Sequence, residues 1–121
     1  MKRTDSMTVD ELVERFTVIA LAQDKAIRSY DSAKFNRLFR QMDVVKQELK
    51  ARSGDQRRAL LQLFDHSNPQ VRLKAAVATL AVAPQAAMRL LQTISDRKDG
   101  PQAGDAGMTL WRLDSGEYKP T

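Results

Sequence analysis

The stretch NPQVRLKAAVATL, residues 68–80, decides the fold. It is built mainly from Ala, Val and Leu, yet it opens on Asn-Pro and carries Arg72 and Lys74 near its start. Asn68 can cap a helix, because its side-chain oxygen accepts the backbone N–H groups that a first turn leaves unpaired. Pro69 suits the first helical position, where a missing N–H costs nothing. A helix is therefore predicted from Pro69. At about 100° per residue, Val71, Ala75 and Ala78 fall together, while Leu73, Ala76, Val77 and Leu80 fall on roughly the opposite side. A helix that is apolar on two sides is buried between neighbours. Its small-residue side lets another backbone come close, and its Leu-rich side fills a wider gap. Arg72 and Lys74 occupy different stripes between these sides, so they do not act as a pair.

The flanking sequence carries the same signals. Thr8 with Glu11 forms a capping-box pattern that opens a first helix. Val9, Leu12, Val13, Phe16, Ile19, Ala26, Ile27 and Tyr30 share one face of it. Asp31 and Ser32 offer a new cap, and a second helix is predicted over 33–52, with Phe35, Leu38, Phe39, Met42, Val45 and Leu49 inward. Gly54 suits the left-handed position past its end. A short third helix covers DQRRALLQLFD, a fifth opens at Pro84, and a sixth begins near Pro101 and ends at Gly116, before a tail. The segment LLQLFDHSNPQVRLKAAVATL is echoed by LLQTISDRKDGPQAGDAGMTLWRL, where "PQ", "A", "AG" and "TL" follow in order and the "PQ" and "TL" pairs recur identically. The prolines are offset by 32 residues and the Thr-Leu pairs by 30. That spacing belongs to helical repeats. No strand alternation is present. The expected fold is all-α: about six helices as three stacked antiparallel hairpins in an α-α superhelix, with residues 1–6 a flexible extension and 7–121 one domain.

LFDHSNPQVRLKAAVATL resembles a HEAT-like or armadillo-type repeat, with a Leu-rich helix, a polar turn, Pro, Val-Arg, then Ala and Leu at helical spacing. From MTVDELVERF to GDAGMTLW the chain is also similar to a small bacterial family of HEAT-like domains of unknown function. The resemblance implies a right-handed superhelix and no enzymatic activity. It places Asn68 at the turn, Val71 in the core and Arg72 at the framework arginine position. PQAGDAGM lacks the Val-Arg pair, so the last layer departs from the pattern.

The 121 residues contain no Cys and one His, which excludes disulfides and most metal or His-assisted nucleophile readings. Twenty Lys and Arg against fifteen Asp and Glu give net +5, spread along the chain without a basic tail. No apolar run is long enough to span a bilayer, and the N-terminal residues show no signal-peptide pattern. A cytoplasmic protein without cofactor or metal is expected.

Two readings stand for Arg72. A cation in a first helical turn is disfavoured by the helix dipole, so an acidic partner such as Asp65, Asp99 or Asp105 would hold it. Otherwise it points into a groove. If alternate helices line a concave face, Arg37, Arg40, Arg72, Lys74 and Arg112 converge on a basic groove that suits an acidic protein surface or a phosphate backbone. Lys74 is the freer of the central pair. Trp111 is expected to close the core at the C-terminal end. Val18 and Leu21 fall off the buried stripe of the first helix. They mark a partner or dimer contact, unless the N-terminal extension covers them. The primary expectation is a non-enzymatic module that binds another protein. The alternatives are nucleic-acid binding and a structural homo-oligomer.

Overall fold

The first three α-helices each start where a side chain caps the first turn, and the fourth starts at Pro84 without a side-chain cap. In the computed structural model, which describes residues 2–98 and 100–121, the fold is all-α. There are five α-helices, α1 (Val9–Arg28), α2 (Ser32–Ala51), α3 (Pro69–Ala78), α4 (Pro84–Arg97) and α5 (Gly100–Asp114), with one 3₁₀ segment, Thr4–Ser6, before α1 and another, Gln56–Asp65, between α2 and α3. No strand occurs among the described residues. The chain divides into two units, residues 1–60 and 61–121.

The first unit is the α1–α2 hairpin. The Glu11 N–H donates to Thr8 Oγ1 at 3.1 Å, and the Thr8 N–H donates to Glu11 Oε1 at 2.8 Å. This reciprocal pair satisfies two donors that α1 cannot. Asp31 caps α2 by accepting from the Lys34 N–H at 3.1 Å. Leu12, Phe16 and Ile19 of α1 and Met42, Val45 and Leu49 of α2 are buried. Tyr30, expected on the inner face of α1, is instead exposed in the left-handed region at φ 56°. It lies beyond the last turn, where the chain must reverse. Phe39, expected inward, is exposed as well. It sits about 90° from the centre of the buried stripe of α2, at the margin of what α1 covers.

The segment read as a loose extension is fastened to this hairpin. Arg52, past the end of α2, donates through Nη2 to the carbonyls of Thr4 at 3.1 Å and Met7 at 2.7 Å, and through Nε to Glu48 at 2.7 Å. Met7 is buried. Lys2 pairs with Glu11 at 3.1 Å, and Arg15 donates to the Lys2 carbonyl at 3.0 Å. The Thr8 N–H, first, and then the Lys2 ammonium hold the Glu11 carboxyl below the usual carboxylate range.

Gln56–Asp65 is wound as a 3₁₀ helix where an α-helix was expected. Its three residues per turn align positions i and i+3. Arg57, Leu60 and Leu63 follow that spacing and are all buried. The buried guanidinium of Arg57 forms a fork with Asp55, at 2.9 and 2.6 Å, and this hydrogen bonding lowers the Asp55 carboxyl from its ordinary range. Gly54 adopts the expected left-handed conformation, φ 79°, and Asp55 follows it at φ 53°.

In the second unit α4 packs on both α3 and α5, and α3 also meets α5. Asn68 accepts from the N–H groups of Gln70 at 2.8 Å and Val71 at 3.2 Å, and so opens α3 at Pro69. Both apolar sides of α3 are buried. Leu73, Ala76 and Leu80 join Ala87, Leu91, Ile94 and Ala106 in one cluster, while Val71, Ala75 and Ala78 are buried on the other side. The helix stops two residues before the predicted Leu80, because the Thr79 hydroxyl and N–H turn back onto the last carbonyls. Tyr118 packs against the cluster, a place expected for Trp111. Trp111 is 61% exposed. The inward stripe of α5 is Ala103, Ala106, Leu110 and Leu113, and position 111 lies about 120° from its centre.

One polar contact crosses this core. Gln102 Nε2 donates to Gln70 Oε1 at 3.0 Å, and both residues are buried. They are the glutamines of the two "PQ" pairs in the sequence echo.

Two stability predictions follow from these contacts. Gln70→Leu and Gln102→Leu each lower the unfolding free energy by about 1–3 kcal/mol, because each removes one side of a buried amide–amide hydrogen bond. The double variant loses less than the two singles together; additive losses in denaturant titrations would show that the amides are not coupled. Glu11→Gln keeps the cap acceptor and removes only the charge. A carboxyl lowered in the folded state stabilises above the usual carboxylate range and loses that contribution as pH falls through its folded value. The melting-temperature gap between wild type and Glu11→Gln is therefore widest near neutral pH and closes in acid. A gap independent of pH would contradict this.

Candidate functional site

A helix hairpin buries the sides of its helices that face each other and leaves a seam along their junction. In the first unit that seam is an apolar groove of about 650 Å³. From α1 it is lined by Glu11, Glu14, Arg15, Val18, Ile19 and Ala22, and from α2 by Leu38, Gln41, Val44 and Val45. Thr4 and Met7 complete one end, held there by the Arg52 clamp. Val18 is 58% exposed and Val44 54%, facing solvent across the groove mouth. Leu21, 40% exposed, stands on the outer side of α1. The N-terminal segment thus borders the groove without covering Val18 or Leu21. At the acidic end the Glu11 carboxylate is committed to the capping box and Lys2, so its charge serves the framework.

The basic residues predicted to converge come from both units. Arg37 and Arg40 are exposed on α2 of the first unit. Within the second unit, Arg72 and Arg112 line separate cavities. Arg72 lies with Ser67, Pro69, Ile94, Arg97, Gly100 and Gln102 around about 340 Å³. Arg112 lies with Val77, Thr109, Glu117 and Tyr118 around about 390 Å³. Arg72 is half-buried, and its guanidinium donates to the His66 carbonyl at 2.6 Å. It meets neither Asp65 nor Asp105; the third expected partner, Asp99, lies outside the described residues. The lone His66 is part of the same turn, accepting the Asn68 N–H at Nδ1, 3.0 Å away. Lys74 is likewise half-buried and engaged within the chain. Arg112 pairs with Glu117 at 3.1 Å, both exposed, a contact of about 0–1 kcal/mol.

Val18 and Leu21 were legible in the sequence as apolar residues off the buried stripe. Val44 was passed over, although it too falls well off the stripe of α2. The pairing of Val18 with Val44 across one groove depends on how the hairpin closes. No helix among the described residues is long and apolar enough to cross a membrane.

No curated protein matches the chain. The protein RPA1889 from Rhodopseudomonas palustris CGA009, known from a crystal structure, is similar over 100% of both chains, with 49% identity and a TM-score of 0.95. Residues 10–114 match the family described as Domain of unknown function (DUF2019), and the chain belongs to that family.

Proposed function

We propose that this chain is a non-enzymatic, HEAT-like helical-repeat module that binds another protein. The observation that carries the reading is the apolar groove between α1 and α2, with Val18 and Val44 exposed at its mouth. Exposed apolar side chains gathered along one groove lower their free energy when a partner removes them from water. Grooves between helices accept amphipathic helices through apolar anchors at helical spacing. The capped, clamped hairpin supports this reading, since a rigid groove loses little entropy on binding. The repeat character is supported by the buried pairing of Gln70 with Gln102, which sit at the same place in two echoed segments.

Retention of a protein partner from extracts of the native host tests the reading. Immobilised wild-type chain is expected to hold a partner that Val18→Glu/Val44→Glu loses, while the variant keeps its circular-dichroism spectrum. Equal retention by both, or none by the wild type, would count against the groove. Retained nucleic acid whose binding falls steeply with salt would favour the phosphate-backbone alternative.

A further inference from the structure

The outer ridge of α1 has a pattern that the groove accounts for only in half, since Glu14 and Val18 line the groove and Leu21 and Lys25 do not. Glu14, Val18, Leu21 and Lys25 are all exposed and fall at i, i+4, i+7 and i+11. That spacing keeps four residues on one helix face, about 170° from the centre of the buried stripe. The ridge is an apolar pair flanked by an acid on one side and a base on the other, with the charges about 16 Å apart along the axis. Neither Glu14 nor Lys25 has an ion-pair partner among the described residues. Arg37, exposed near the hairpin turn on α2, adds positive charge toward the Lys25 end.

The ridge is complementary to itself in one orientation only. Positions 14 and 25 share the midpoint of positions 18 and 21. Two such ridges packed antiparallel about a twofold axis bring Glu14 against Lys25 of the second copy, and Val18 against Leu21 of the second copy, twice over. Parallel packing would set Glu14 on Glu14 and Lys25 on Lys25, which like charges oppose. Closed twofold association also uses one patch on both partners, as this pattern does. We infer that the outer face of α1 binds a second copy of this chain, antiparallel across a twofold axis, with Val18 and Leu21 as the buried anchors and the Glu14–Lys25 pairs fixing orientation. Val18 also lines the α1–α2 groove, so the paired α1 lies at the groove mouth. The inference rests on the reading of this unit as a protein-binding surface and names its occupant.

Sedimentation velocity on the full chain over a concentration series tests it. The wild type is expected to approach twice the 13.6 kDa of one chain. Glu14→Lys and Lys25→Glu each place like charges together at both contacts, and each should weaken association roughly tenfold. The Glu14→Lys/Lys25→Glu double variant should recover it, and mixing the two single variants should yield a heterodimer. Leu21→Glu should remain monomeric with unchanged helix content. Recovery in the double variant is an outcome that misfolding cannot imitate. A wild type that stays monomeric throughout, or a double variant no better than the singles, overturns the inference. A monomeric wild type that still holds a different protein at Val18 and Val44 overturns self-pairing alone and leaves the broader proposal standing. Failure of both assays removes both.

Discussion

A helix cannot supply hydrogen-bond partners for the N–H groups of its first turn or the carbonyls of its last. Much of the local architecture answers that constraint. Thr8 and Glu11, Asp31, and Asn68 set the starts of α1, α2 and α3. Thr79 sets the end of α3. A distant side chain adds to these local caps: Arg52 reaches carbonyls 48 and 45 positions earlier in the sequence. Once these termini are fixed, the register of every apolar stripe is fixed with them. The α1–α2 groove follows, because its two walls are set by where each helix begins.

The features that could be read from sequence are those whose causes lie within a few residues. A cap and its N–H recipient are two or three residues apart, so the start at Pro69 and the capping box at Thr8 were visible, while the start at Pro84 was marked by the proline alone. A helical wheel shows which residues share a face but not how much of that face a neighbour covers. Phe39 and Trp111 were misjudged for this reason, since both lie off the centre of stripes correctly placed. Tyr30 was misjudged because the periodic pattern continued one residue past the point where the backbone reverses. The 3₁₀ winding of Gln56–Asp65 was hidden because a Leu-rich segment fits either period at that length.

The candidate site was legible to the same depth. Val18 and Leu21 stood out because apolar residues opposite a buried stripe have no local reason to be there. The basic residues were grouped on the assumption that alternate helices share one face. Arg72 meets a carbonyl and Arg112 meets Glu117, and the two line different cavities. Charge summed along a sequence says little about field in space, because direction is set by packing. The first unit, by contrast, concentrates exposed aliphatic side chains where two long helices meet.

The bond between Gln70 and Gln102 has a chemical consequence of its own. A primary amide carries donor and acceptor on one group. Two identical amides can therefore satisfy one another head to tail. Two carboxylates or two ammonium groups at the same depth would repel. A chain that uses the same residue at corresponding places in successive segments thus has few polar choices for its interior, and glutamine is one of them.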